Sequence, residues 1–164
     1  MTGYTNILKQ ADIFYQIPED QLEQVAGFCQ EQTYQLGEVI FLEGASSDEL
    51  YVIVQGEVDI QVDPSLVSDQ PGQTYPPVTI ATLRRGQSFG EIALVDRGLR
   101  SATALAAQNS TRLLVMQREK VIEYCQANPQ FGLRLMHNLA ADLALKMRNA
   151  DLLIRNQLLN RQIN

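Results

Sequence analysis

The sequence predicts a mainly β domain, a barrel or a double-sheet roll, flanked by helices at both ends. Three observations carry this. From residue 34 to about residue 117, apolar and polar residues alternate in short runs, the period of two expected of strands lying on a core. Glycines and turn-rich segments break those runs at intervals too short for helices to intervene. On either side of this region the apolar spacing reverts to that of a helix.

Taken in order, residues 2–12 carry a weak helical pattern. The segment "IPEDQLEQVAGFCQ" (17–30) is a stronger one. Pro18 suits a first turn, Glu19 and Asp20 complement the helix dipole, and Leu22, Val25, Ala26 and Cys29 share a face. Strand periodicity begins at Tyr34. "EVIFLEG" (38–44) is a short apolar strand ending at glycine. "ELYVIVQGEVDIQV" (49–62) starts as a dense apolar run, breaks at Gly56, and then alternates strictly through Val58, Ile60 and Val62. Gly44 and Gly56 are placed as corners, where a residue without Cβ lets the chain turn or two backbones approach.

"DPSLVSDQPGQTYPP" (63–77) has the composition of a long hairpin connection. Strand patterns resume at "VTIATL" (78–83), "SATALAA" (101–107) and "TRLLVM" (111–116). Helical spacing returns with "REKVIEYCQA" (118–127), and Asn128 with Pro129 is set to launch a long helix. Along that helix Leu143, Met147, Ala150 and Ile154 are spaced four, three and four apart, flanked by Leu153 and Leu158. This is a coiled-coil-like seam, and it predicts a homodimer paired through the C-terminal helix.

Composition limits the function. The 164 residues suffice for one domain with a proper core, and 45% hydrophobic with 20% charged residues is ordinary for a folded chain. No apolar run approaches the roughly 18–20 residues of a membrane span, and the N-terminus lacks a secretory pattern, so the expected location is cytoplasmic, with no membrane partner. The net charge of −6 argues against DNA as a partner, since duplex binding needs a basic footprint. Cys29 and Cys125 are far apart and are read as small buried hydrophobes. With a single histidine, His137, the chain has the parts for neither a zinc site nor a histidine-dependent triad. No catalytic residue, metal ligand or cofactor is therefore assigned, and the expectation is a binding protein, not an enzyme.

The segment "FGEIALVDRGLRSATA" (89–104) carries the chemistry. If a short helix starts at Gly90, its first amides present partial positive charge to an anion. Arg100 suits a phosphate through two parallel N–H···O bonds, and Ser101 adds a hydroxyl donor. Glu91 would repel the anion, so its natural partner is a neutral donor beside it, such as a sugar hydroxyl. Phosphate plus sugar hydroxyl points to a nucleotide. A single arginine, with no glycine-rich triphosphate loop, points to a phosphate carrying little charge.

Residues 89–103 resemble the phosphate-binding cassette of the cyclic nucleotide-binding domain family, F-G-E-[LIM]-A-L followed by R-[STA]-[AT] at the family's spacing. This family is shared by bacterial catabolite-activator-type regulators, protein kinase A regulatory subunits and cyclic-nucleotide-gated channels. "GEVIFLEGASSDELYVIVQGEVDI" (37–60) is similar to its glycine-punctuated strands, and the likeness extends over about residues 11–150. The resemblance implies a jelly-roll-like β-roll, a double-stranded β-helix, with N-terminal helices in 1–33, the roll in 34–117 and C-terminal helices in 118–164. It assigns Glu91 to the ribose 2′-hydroxyl, assisted by the Gly90 backbone. Arg100 takes the exocyclic phosphate oxygens, with Ser101 and the amides of Ile92 and Ala93. Ile80 and Leu83 line the base pocket, and Lys146, Met147 or Arg148 on the last helix closes it.

Two departures stand out. Leu99 replaces a frequent proline, and the 63–77 connection is longer than usual. The implied function is a stand-alone cyclic-nucleotide sensor acting on a downstream protein that the sequence does not name. Because the chain reaches Asn164 without a helix-turn-helix, no DNA-binding domain is expected. Its default ligand is cAMP, with cGMP also compatible. The alternatives are a nucleotide-blind interaction module of the same fold and the sensor fragment of a longer regulator.

Overall fold

A computed structural model of the chain describes residues 3–46, 48–67, 74–96 and 98–162. The chain opens with α1 (Gly3–Leu8), a 3-10 turn at Asp12–Phe14 and α2 (Glu19–Phe28). The last of these stops short of the expected Gln30. Cys29 is already extended at ψ 147°, and Gln30 enters the first strand.

Eight strands follow: β1 (Gln30–Tyr34), β2 (Val39–Phe41), β3 (Glu49–Gln55), β4 (Glu57–Val62), β5 (Val78–Arg84), β6 (Ser88–Phe89), β7 (Thr103–Ala106) and β8 (Thr111–Gln117). They form two four-stranded sheets, in the orders β1-β8-β3-β6 and β2-β7-β4-β5, and every pairing is antiparallel. Of the two architectures left open by periodicity, the chain adopts the roll and not a closed barrel. Of the expected connection at 63–77, Pro64–Val67 form a 3-10 turn, and residues 68–73 lie outside the described residues.

The change of pattern at Gly56 has a physical cause. On β3 and β8, Leu50, Val52, Leu114 and Met116 face a core shared with the helices, whereas Tyr51, Ile53, Leu113 and Val115 face the interior of the roll. Both faces are covered, so these strands read as dense apolar runs. β4 has one covered face and alternates. Gly56 carries the chain from one sheet to the other at φ +87°, and a Cβ there would stand 2.9 Å from the Thr111 Cα. The corner therefore needs glycine for both its dihedral and its space.

The helical layer packs on the outer face of the first sheet, where Leu8, Ile13, Phe14, Leu22, Phe131 and Leu135 are buried. α4 (Arg118–Ala127) has the bounds the sequence suggested, and α5 runs from Pro129 to Gln162. Asn128 serves the helix before it: its Nδ2 donates to the Tyr124 carbonyl at 3.1 Å, closing α4. Farther along α5, Asn138 donates to the carbonyls of Ile13 and Tyr15 at 3.0 and 2.8 Å, fastening the helix to the N-terminal turn. From Met147 onward the helix leaves the body, and its described side chains are exposed. Both thiols are half-buried and free, and burial pushes that of Cys29 up to about 12. Among the described residues no helix is long and apolar enough to cross a membrane.

Candidate functional site

The segment 89–104 folds as a strand end, a sharp bend and a single helical turn. β6 leads into Gly90, which takes φ +74°, and α3 (Ile92–Val95) follows. The helix starts two residues later than expected. The Ala93 amide is engaged within the turn itself, donating to the Gly90 carbonyl at 3.2 Å. The far end of the segment is pinned to the loop after β2: the Arg100 amide donates to the Ala45 carbonyl and the Gly44 amide to the Arg100 carbonyl, both at 2.8 Å.

Arg100 is buried beneath this bend. Nη1 donates to the Gly90 carbonyl at 3.1 Å and Nη2 to the Glu49 carbonyl at 2.8 Å. The guanidinium carbon lies 4.1 Å from the centroid of Phe41, and the Tyr51 ring, stacked on Phe89 at 4.9 Å, lies beyond. A guanidinium suits such a seat because its planar face tolerates aromatic contact while its edge donates. Burial lowers its pKa from the ordinary arginine value, and the acidic and phenolic groups of Tyr51, Glu49 and Glu91 oppose that fall. The phenolic hydroxyl of Tyr51 donates to Glu49 Oε2 at 2.5 Å, and Gln117 donates to Glu49 Oε1 at 2.9 Å, so the start of β3 is itself held in place. Phe41 was legible only as a core residue. Its role as a platform needs β2, β3 and β6 brought together, which no local signal reports.

Glu91 is also buried, and its partner comes from α5. Lys146 Nζ reaches Glu91 Oε1 at 2.9 Å, the Ser88 carbonyl at 3.1 Å and Asp142 Oδ2 at 2.8 Å. The first two accept hydrogen bonds from the ammonium, and Asp142 adds an ion pair. Burial pulls the Lys146 pKa down, but Glu91 and Asp142 together outweigh it and hold it above the ordinary lysine value. The ammonium therefore stays charged throughout the neutral range, and α5 is tied to the bend by a charged clasp. Asp142 escaped the sequence reading, although its four-residue spacing from Lys146 was a usable signal.

Between the bend, β5 and α5 lies a cavity of about 500 Å³. Gly90, Glu91, Ile92, Ala93, Arg100 and Ser101 line one side, and Ile80 and Leu83 of β5 another. α5 contributes Lys146 and Met147, as expected, together with Asp142, Asn149 and Leu153. Arg148 is exposed and is not among the lining residues. The space is large enough for a mononucleotide-sized ligand. It places a cation seat and a carboxylate on one wall and aliphatic side chains on the others.

Comparison with known proteins bears on the family and the fold. The family model described as "Cyclic nucleotide-binding domain" matches residues 31–128. The chain is similar to the cyclic AMP receptor protein of Thermus thermophilus, 32% identical over 145 residues covering 88% of this chain. It is 29% identical over 116 residues, 71% of its length, to human cGMP-dependent protein kinase 2. The crystal structure of the Thermus thermophilus catabolite activator protein superposes with a TM-score of 0.70 at 30% identity, covering 90% of this chain and 63% of that one. The chain spans 61% of the bacterial relative's length and 14% of the kinase's.

Proposed function

This chain belongs to the cyclic nucleotide-binding domain family, and we propose that it is a receptor for a 3′,5′-cyclic purine nucleotide, cAMP by default, that signals through α5 and not by turnover. One observation carries the reading. The cassette's carboxylate and guanidinium residues line the same cavity as the long helix. In this reading Glu91 accepts the ribose 2′-hydroxyl, while Arg100 and Ser101 hold the exocyclic phosphate oxygens with the help of the Ile92 amide. Ile80, Leu83 and Met147 enclose the base. A hydroxyl arriving at Glu91 meets a carboxylate already held by Lys146, so ribose binding and the position of α5 are linked at one side chain. The helical ends, 1–33 and 118–164, act as the moving layer around the roll.

The whole chain, titrated with cAMP, cGMP and cyclic dinucleotides in a thermal melt, tests this. A cyclic mononucleotide at about 100 times its Kd adds about 2.7 kcal/mol. For a chain of this size that is a rise in Tm of roughly 5–10 °C. No shift with any of them at millimolar concentration overturns the reading in favour of a nucleotide-blind module.

Pairing of α5 with a second copy of the chain belongs to the same proposal. Met147 is 65% exposed, Ile154 54% and Leu158 54%, an apolar stripe that water covers poorly, whereas Leu143 packs against the body. Sedimentation equilibrium is expected to give a dimer, and Ile154→Lys a monomer with its β-roll intact. A wild-type chain that stays monomeric at about 100 μM, far above the Kd of a stable helix-paired dimer, removes this part.

A further inference from the structure

We propose that Phe41 is a positioning residue for the phosphate: its ring sets the tilt of the Arg100 guanidinium and so fixes how the arginine presents its donors to the cavity. This rests on the cyclic-nucleotide reading above. The ring reaches its place through an irregular strand. β2 pairs with β7, and the register shifts between Val39 and Phe41. Adjacent strand positions ordinarily point to opposite faces, yet Ile40 and Phe41 both pack against the interior of the roll, while Val39 is exposed. An irregularity of this kind re-aims a side chain. Here it brings Phe41 to the cavity wall and beneath the guanidinium, whose carbon lies over the ring at 4.1 Å from its centroid.

The ring is itself held. Its centroid is 5.7 Å from that of Tyr51 and 5.9 Å from that of Phe89, and those two rings stack on each other at 4.9 Å. Among the hydrogen bonds of Arg100, Nη1 donates to the Gly90 carbonyl and Nη2 to that of Glu49. These two bonds hold the Nη edge but constrain poorly the tilt about the line joining the two nitrogens. A ring face against the guanidinium plane supplies that third constraint.

Tilt matters because an arginine takes a phosphate through parallel N–H···O bonds, and such bonds weaken steeply out of alignment. An aliphatic side chain at position 41 would fill the space without offering a flat face. The guanidinium would then have to be ordered at the moment of binding, a cost the ring removes in advance.

The test is calorimetric titration of the full chain with cAMP, or with cGMP where that is the tighter ligand, and with the two phosphorothioate diastereomers of the same nucleotide. In these, sulfur replaces one or the other exocyclic oxygen. Titrations are run well below the Tm of each variant. The wild type is expected to favour one diastereomer severalfold, because an oriented guanidinium meets the two oxygens unequally. Phe41→Leu should lower affinity for the parent nucleotide about three- to tenfold, the cost of ordering one side chain, and the diastereomer ratio should contract toward one. Phe41→Tyr keeps the flat face and should restore both. In an Arg100→Lys background the ammonium has no plane to orient, so Phe41→Leu should change affinity by less than about twofold.

A diastereomer ratio that survives Phe41→Leu, with or without a fall in affinity, marks a purely structural ring and overturns the assignment while leaving the receptor reading intact. A full Phe41→Leu loss in the Arg100→Lys background does the same, since the ring would then touch the nucleotide itself. Equal binding of the two diastereomers by the wild type also overturns it. Failure of the wild type to bind either cAMP or cGMP removes both readings.

Discussion

Arg100→Ala is expected to abolish the response to cyclic nucleotide and, separately, to weaken the fold. The second half follows from the seat of the guanidinium. Two of its hydrogen bonds go to the carbonyls of Gly90 and Glu49, in a region where the arginine is only 7% exposed. Leaving buried carbonyls without donors costs about 1–3 kcal/mol each. Losing the contact with Phe41 adds about 0.5–2 kcal/mol. Partial relaxation and water entry reduce the sum, and a fall in Tm of roughly 6–12 °C is expected. The first half follows from the charge: without the guanidinium, the wall that would face a phosphate keeps only the Ser101 hydroxyl and backbone amides. Truncating one partner of a hydrogen-bonded charge pair costs about 2–5 kcal/mol, roughly thirtyfold to a few thousandfold in affinity.

The two effects are separated by titrating at a temperature well below the lowered Tm, beside Arg100→Lys. Lysine restores the positive charge but not the two-pronged edge. It should recover little of the stability and only part of the binding. Full affinity in a folded Arg100→Ala protein would place the phosphate elsewhere. Full stability would mean that the two carbonyls find other donors.

That dual duty explains how much of the site was readable in the chain. Glu91, Arg100 and Ser101 stand within eleven residues, and the cassette they belong to marked them as one group, which the fold brings to one cavity. β3, β4 and α4 were legible because their neighbours bury them in simple patterns, two faces, one face and one stripe. β1, "QEQTY", was not: as a sheet-edge strand paired only with β8 it needs little apolar surface, and its sequence offers no alternation to detect. β6 has two residues, too few for any period. The aromatic seat of Arg100 draws Phe41, Tyr51 and Phe89 from three strands, and the clasp on Glu91 comes from Lys146, 55 positions away. Such contacts depend on how two layers stack, and the choice among Lys146, Met147, Arg148 and Asn149 depends on helix rotation. Neither is written in local sequence.

Gly90→Ala is expected to disable the same site without touching any side chain assigned to the ligand. At φ +74° an alanine costs about 1–2 kcal/mol in backbone strain alone. Its Cβ would also stand 2.8 Å from Arg100 Nη1, 2.9 Å from the Glu49 carbonyl oxygen and 3.2 Å from Tyr51 Cδ2. Those three atoms cannot all yield. The carbonyl belongs to β3, paired on both sides, and Tyr51 is stacked on Phe89, so the guanidinium is the group that moves. Displacing it breaks the bonds that fix the bend, and overpacking of this kind adds about 1–3 kcal/mol. The expected result is a fall in Tm of roughly 5–12 °C. It should be accompanied by a loss of nucleotide affinity approaching that of Arg100→Ala, although Glu91, Arg100 and Ser101 are all present.

Gly37→Ala supplies the control. Gly37 has nearly the same dihedral, φ +82°, but nothing lies within 4 Å of a Cβ built there. It bears the backbone strain without the clash, so it should lose about 1–2 kcal/mol and keep its affinity. The difference between the two variants isolates the contact with Arg100 from the conformational cost. Equal losses of stability with binding intact in both would show that the close approach at Gly90 does not hold the arginine in place. A loss of binding confined to Gly90→Ala would show that the backbone at this bend, as much as the charged side chains, sets the geometry in which an anion is met.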